Sequence, residues 1–222
     1  LGAEGSGIYF LALSVTTIGA VIGRAGLDQS LLRFSATHAA QNQWGAVAQS
    51  YFYSIGIVLL VSTISTLMFF LLAPWLSESL FHKPELAKPL RWMSLSILPV
   101  AILNVHAEAL KGIKNIRDAQ FSQAIGVPLV GLFLVYPMVI YLGALGVVWS
   151  FTIATTVVAI FSAWAWSRSA KKNLLGLGIV SISQVLVSGR SMFVASLINS
   201  VIIPWLPFLL LGVWGTSEEV GI

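Results

Sequence analysis

Residues 119–167 read AQFSQAIGVPLVGLFLVYPMVIYLGALGVVWSFTIATTVVAIFSAWAWS, and no charged side chain lies between Asp118 and Arg168. A membrane-spanning helix needs about 20 apolar residues, so this run is too long for one span and long enough for two. It breaks at Gly143-Ala144-Leu145-Gly146, where glycine permits a tight reversal. Two helices joined by a short turn are therefore expected, Phe121–Leu142 and Leu145–Trp166.

The same absence of charge recurs over residues 5–23, 34–77, 92–107, 173–189 and 191–217. Because a charge at the centre of a hydrocarbon layer costs several kcal/mol, these runs locate the other spans. They are expected at Ile8–Ser30, Ala46–Leu72, Leu90–Leu110 and Ser188–Leu211, giving about six crossings. Trp44, Trp75, Trp92, Trp166 and Trp214 stand near span ends, where an interfacial aromatic belt belongs. Pro128, Pro137, Pro204 and Pro207 interrupt spans, which a packed neighbour or a wet cavity must compensate.

Composition agrees with this reading. Of 222 residues, 57% are hydrophobic and 9% are charged, against about 25% charged in an ordinary soluble domain. Six spans of about 20 residues absorb nearly all of that apolar material. The expected fold is an all-α polytopic membrane bundle, and a soluble globular domain is excluded. Without cysteine there is no thiol chemistry, and neither a metal nor a cofactor is expected. The chain opens at Leu1 with no basic stretch before its first apolar run, which argues against a signal peptide and for a segment of a longer protein.

The formal charge of +4 matters less than its distribution, and no nucleic-acid partner is expected. Threading six spans puts Arg33, Lys111, Lys114, Arg117, Arg168, Lys171 and Lys172 on one side, with Asp118. Lys83, Lys88 and Arg91 fall on the other side with Glu4, Glu78, Glu85, Glu218 and Glu219. The first side is therefore expected in the cytoplasm and both chain ends outside. Residues 1–8 (LGAEGSGI) and 211–222 (LGVWGTSEEVGI) each read Leu-Gly, a linker with glutamate, then Gly-Ile. An even number of spans separates them, as in a parallel repeat.

Residues 1–9 running into a helix that ends at residues 26–34 (GLDQSLLRF), the loop at residues 109–114 (ALKGIK) and the closing LGVWGTSEEVGI together resemble the polysaccharide transporters of the multidrug and oligosaccharidyl-lipid exporter superfamily. The resemblance covers nearly the whole chain. It implies two facing bundles of six helices around a central cavity. Residues 1–175 then look like the second to sixth helices of the first bundle, and residues 176–222 like the first helix of the second. It further implies a flippase, not an enzyme, that exports an undecaprenyl-pyrophosphate-linked oligosaccharide across the cytoplasmic (inner) membrane, working beside a polysaccharide polymerase. A lipid II flippase, a cation-coupled multidrug antiporter and, in a different class, a membrane-embedded polymerase or ligase are the alternatives. Many relatives carry an acid where Pro207 stands, so cation coupling through that position is in doubt.

Candidate residues are those too polar for their surroundings. Arg24 and Asp28 are four apart, on one helix face, with Arg33 one and a half turns later. Arg24, about 24 Å along a helix starting at Ile8, falls in the cytoplasmic third and is a candidate for binding phosphate, as its planar fork suits oxyanions. An intrahelical pair with Asp28 and a plain anchoring role for Arg33 are the competing readings. Arg190, about half a turn before the hydrocarbon of the last span if that begins near Met192, is either a second cavity cation or an interfacial anchor. Asn199 is expected to line a cavity or bond another helix. Asn104, Glu108 and Lys111 share a face, so Glu108 is a candidate coupling site for a cation or half of a surface ion pair. His38 and His106 are expected as hydrogen-bonded interfacial residues. Gly19 and Gly23 form a small-xxx-small packing pair. Gly176-Leu177-Gly178 lacks the rest of a nucleotide loop.

Overall fold

The computed structural model describes residues 2–170 and 181–214, and among them there are helices and turns but no strand. Six stretches are long and apolar enough to cross a membrane: Gly2–Arg24, Trp44–Leu80, Pro84–Gly112, Ile116–Leu142, Leu145–Ala170 and Ile182–Trp214. The expected number of crossings therefore stands. The boundary at residues 175/176, Lys171, Lys172, Gly176-Leu177-Gly178 and the second Gly-Ile lie outside the described residues.

Helix α1 (Gly2–Arg24) is followed at once by α2 (Leu27–Ala40), where one continuous span to Ser30 is expected. The interruption is local: Ala25 and Gly26 both take left-handed backbone, with φ of 49° and 72°. Glycine adopts this without cost, and an L residue does not. Hydropathy runs on through the break, which is why composition hides it.

Helix α3 (Trp44–Trp75) continues through a π turn at Leu76–Leu80. A short turn at Pro84–Leu86, helix α4 (Ala87–Met93) and a tight turn at Ser94–Ser96 lead into α5 (Ile97–Gly112). Helix α6 (Ile116–Gln120), a π turn at Phe121–Ile125 and α7 (Gly126–Leu142) form the next crossing. Gly143, with φ 59°, reverses the chain into α8 (Leu145–Ala170) at the predicted place. The last crossing is α9 (Ile182–Leu197), a π turn at Ile198–Ile202 and α10 (Ile203–Trp214). Pro128 and Pro204 follow those two π turns, and the residues four before them, Ala124 and Ser200, lie within the turns. A proline ring collides with the carbonyl four residues earlier, and the wider π turn relieves the collision.

Two apolar clusters hold the bundle. One joins Leu27, Leu31, Val47, Val105, Leu110 and Trp166. The other joins Leu11, Leu86, Leu90, Met93 and Ile97 near the opposite end. Helix α5 contributes to both and is packed on most sides, whereas α7 lies chiefly against α8 and turns Leu132, Phe133, Tyr136 and Ile140 outward. Trp166 departs from the expected belt: it is 4% exposed and stacks on Tyr51 with ring centres 4.6 Å apart. Trp75 and Trp214 are well exposed, as a belt requires.

Lipid is as apolar as leucine, so close backbone approach rather than water release must bind helices to each other. Helix α3 supplies a buried stripe of Ser50, Ser54, Ser62, Ser65 and Thr66. It meets the predicted glycine pair of α1. Ser65 Oγ donates to Gly19 O at 2.9 Å, and a Cβ added to Gly23 would stand 2.8 Å from Ser62 Cβ. Gly23→Leu is therefore expected to cost about 1–3 kcal/mol of stability through overpacking. Gly56→Leu, where a Cβ meets nothing within 4 Å, is expected to leave the unfolding temperature in detergent unchanged.

Candidate functional site

The break between α1 and α2 fixes the depth of the charges around it. Exposed apolar side chains of α3 run from Phe52 to Trp75, and Ser62 lies near the centre of that band. Gly23 packs on Ser62, so Arg24, the last residue of α1, lies near mid-height rather than in the cytoplasmic third. Arg24 and Asp28 do not share one helix face, as their spacing predicts, but face each other across an interruption.

They pair nonetheless. Arg24 Nη1 is 3.2 Å from Asp28 Oδ2, and Arg24 Nε donates to Ala20 O at 3.3 Å. Relative exposures are 8% and 3%. Placement favours both partners, because a helix C-terminus attracts a cation and a helix N-terminus an anion. Arg24 closes α1 and Asp28 sits in the first turn of α2. Asp28 Oδ1 is buried without a hydrogen-bond partner among the described residues.

Helix α9 crosses this break through a second close approach. A Cβ on Gly26 would collide with Gly189 O and with the backbone of Phe193, and one on Gly189 would stand 2.8 Å from Leu27 Cδ2. Ser30 Oγ donates to Val185 O at 3.3 Å beside it. Arg190 does not stand at the entrance of the last helix but well inside α9, because the helix starts at Ile182, not Ser188. Ser183, Gln184 and Ser188 make the first turns of α9 look like a loop in hydropathy.

On either side of that contact lies a hollow. One, of about 290 Å³, is bordered by Arg190 with Ile22, Ala25, Ile57, Leu186 and Phe193. The other, of about 440 Å³, is bordered by Arg33 with Ser183, Gln184, Val187, Ser188 and Ser191. Arg33 and Arg190 are exposed and form no ion pair among the described residues, whereas Arg24 is closed off by Asp28. Neither hollow has a carboxylate in its lining among the described residues. Asn199 is exposed in the π turn, borders neither hollow and makes no side-chain hydrogen bond among the described residues.

Glu108 lies elsewhere and is not a surface residue. It is 5% exposed, and its Oε1 accepts from Lys111 Nζ at 2.8 Å and Gln123 Nε2 at 2.9 Å. Gln123 also donates to Asn104 Oδ1 at 3.3 Å. Asn104, Glu108 and Lys111 thus share a face as the spacing predicted, while Gln123, from the π turn before α7, completes the cluster. His106 is likewise buried rather than interfacial. Ser162 Oγ donates to Ala159 O at 2.7 Å, so it accepts from His106 Nδ1 at 3.1 Å; His106 Nε2 then accepts from Tyr51 Oη at 2.9 Å. One tautomer satisfies all three. His38 meets Gln43 Oε1 at 2.8 Å in an exposed turn, as expected.

The family model described as "polysaccharide biosynthesis protein" matches residues 1–222. The chain belongs to that family. No curated protein and no solved structure matches it. Family and architecture together make it a multi-pass membrane protein of polysaccharide biosynthesis, in line with the resemblance carried by the GLDQSLLRF and ALKGIK stretches.

Removing one member of a buried ion pair strands the other, at a cost of about 3–5 kcal/mol. Arg24→Met is expected to lower the yield and unfolding temperature of the detergent-solubilised protein. The double change Arg24→Met with Asp28→Leu is expected to recover most of both, which thermal unfolding of the two variants side by side would check.

Proposed function

We propose that this chain forms part of a flippase that carries an undecaprenyl-pyrophosphate-linked oligosaccharide outward across the cytoplasmic membrane, in step with a polysaccharide polymerase. The observation that carries the reading is an unpaired arginine, Arg190, bordering a hollow at a helix broken near mid-height. Discontinuous helices at that depth are how carriers present polar groups to a substrate. The physical problem fits: the substrate's head carries a pyrophosphate and many hydroxyls, and each unpaired hydroxyl in hydrocarbon costs several kcal/mol. An arginine supplies two parallel hydrogen bonds to phosphate oxygens and stays charged in an apolar setting. The lipid tail remains between helices, so only the head has to be sheltered.

Arg190 then takes the role first expected of Arg24, which acts by holding the break closed. Arg33 supplies positive charge on the far side of α9. A cation-coupled antiporter would need an acid where the substrate cation sits, and the linings of both hollows favour the anionic cargo instead. A lipid II flippase shares the same head-group chemistry and differs in the sugar. A polymerase or ligase would need catalytic groups on the outer face, and Leu76–Pro89 there is short. The reading is therefore of a carrier, not an enzyme.

In cells that depend on this protein for surface polysaccharide, Arg190→Ala is expected to reduce export at least about tenfold while membrane insertion stays intact, with Arg190→Lys intermediate. Export unchanged in Arg190→Ala would overturn the assignment. An anionic head moving outward gains roughly 2.3 kcal/mol per charge per 100 mV of cytoplasm-negative potential. Dissipating the potential while holding the pH gradient is accordingly expected to slow export, measured as accumulation of the lipid-linked unit on the inner leaflet.

A further inference from the structure

The two hollows beside α9 differ in chemistry, although each is bordered by an unpaired arginine. The one at Arg190 is otherwise walled by aliphatic and aromatic side chains. The one between α2 and α9 offers Arg33, the amide of Gln184 and the hydroxyls of Ser183 and Ser191, over the aliphatic side of Val187, with Ser188 beneath them. These groups are largely uncommitted. Gln184 and Arg33 make no side-chain hydrogen bond among the described residues, and Ser188 Oγ is buried without a partner. Ser191 Oγ spends its proton on Ser188 O at 2.8 Å and keeps its lone pairs to accept. Ser183 shares a hydrogen bond with Ser181 at 2.7 Å.

Such a lining can both donate and accept along a row of hydroxyls, bind one carboxylate or phosphate in two-pronged fashion, and lay the C–H face of a ring on Val187. A bare inorganic anion would use the guanidinium alone; a neutral sugar would leave it unpaired. We infer that the cleft between α2 and α9 is a glycan subsite that recognises an acidic, hydroxyl-bearing sugar, with Arg33 on the acid and Gln184 and the serines on the hydroxyls. The inference rests on the exporter reading and adds to it where selectivity among glycans resides.

The test is binding of soluble probes to the purified full chain in nanodiscs of neutral phosphatidylcholine, followed by saturation-transfer NMR with glucuronate, glucose and inorganic phosphate. Glucuronate is expected to bind more tightly than either other probe. Arg33→Gln is expected to weaken it about tenfold or more, and Arg33→Lys less. Gln184→Leu is expected to weaken both glucuronate and glucose. Arg117→Gln, which removes an exposed charge from α6, is expected to change nothing. Phosphate competing as well as glucuronate, equal weakening by Arg117→Gln, absence of sugar binding, or displacement of glucuronate by phosphatidylglycerol would each overturn the subsite. The last of these would assign the cleft to a lipid head group. Unchanged surface polysaccharide in cells lacking this protein, together with Arg33-dependent glucuronate binding, would sink the exporter reading and leave the subsite standing.

Discussion

An ion pair taken out of water repays its desolvation only when geometry holds both partners, and Arg24 with Asp28 is held by a break in the helix between them. Left-handed Ala25 and Gly26 turn the chain so that the end of one helix faces the start of the next, and the two charges sit where the helix dipoles favour them. Gly26 is small because α9 crosses it, and Gly189 is small because Leu27 lies under it. The position of α9, and hence of both hollows, follows from that contact.

Packing elsewhere obeys the same economy. Glycines on α1 meet small hydroxyl residues on α3, and Ser65 and Thr66 donate to the backbone carbonyls of Gly19 and Ser62, so the contact is both close and polar. Tyr51, His106 and Ser162 tie three long helices together with every proton accounted for. Such satisfied networks fix one arrangement of helices, because a partial arrangement strands a polar group in an apolar interior.

Much of this was legible from residue patterns. Uncharged runs gave the crossings, Gly143 gave the reversal before α8, and the Gly19 and Gly23 spacing gave a close-packed face on α1, though not its partner. These signals are local. The break at Ala25–Gly26 was not legible, since apolar residues continue through it and glycine is common in membrane helices. The start of α9 is hidden in the sequence because its polar face reads as a loop when nothing shows what it faces. Burial of Glu108, His106 and Trp166 depends on residues such as Gln123, Tyr51 and Ser162 that are distant in the chain. Arg24 and Arg190 could be named as candidates; only tertiary placement distinguished the neutralised one from the open one.

The π turn at Ile198–Ile202 inserts one residue into the last crossing, and an extra residue turns everything downstream by about 100° about the helix axis. That offset lets α9 present Val185 and Gly189 to α2 while α10 presents Phe208 and Gly212 to Phe10 and Leu11. The two halves of this crossing are thus out of phase by design of the chain. Excising a single residue there would swing Gly212 off its seat without altering any side chain that touches the hollows, so the grip of α10 on α1 is set by a count of residues as much as by their kind.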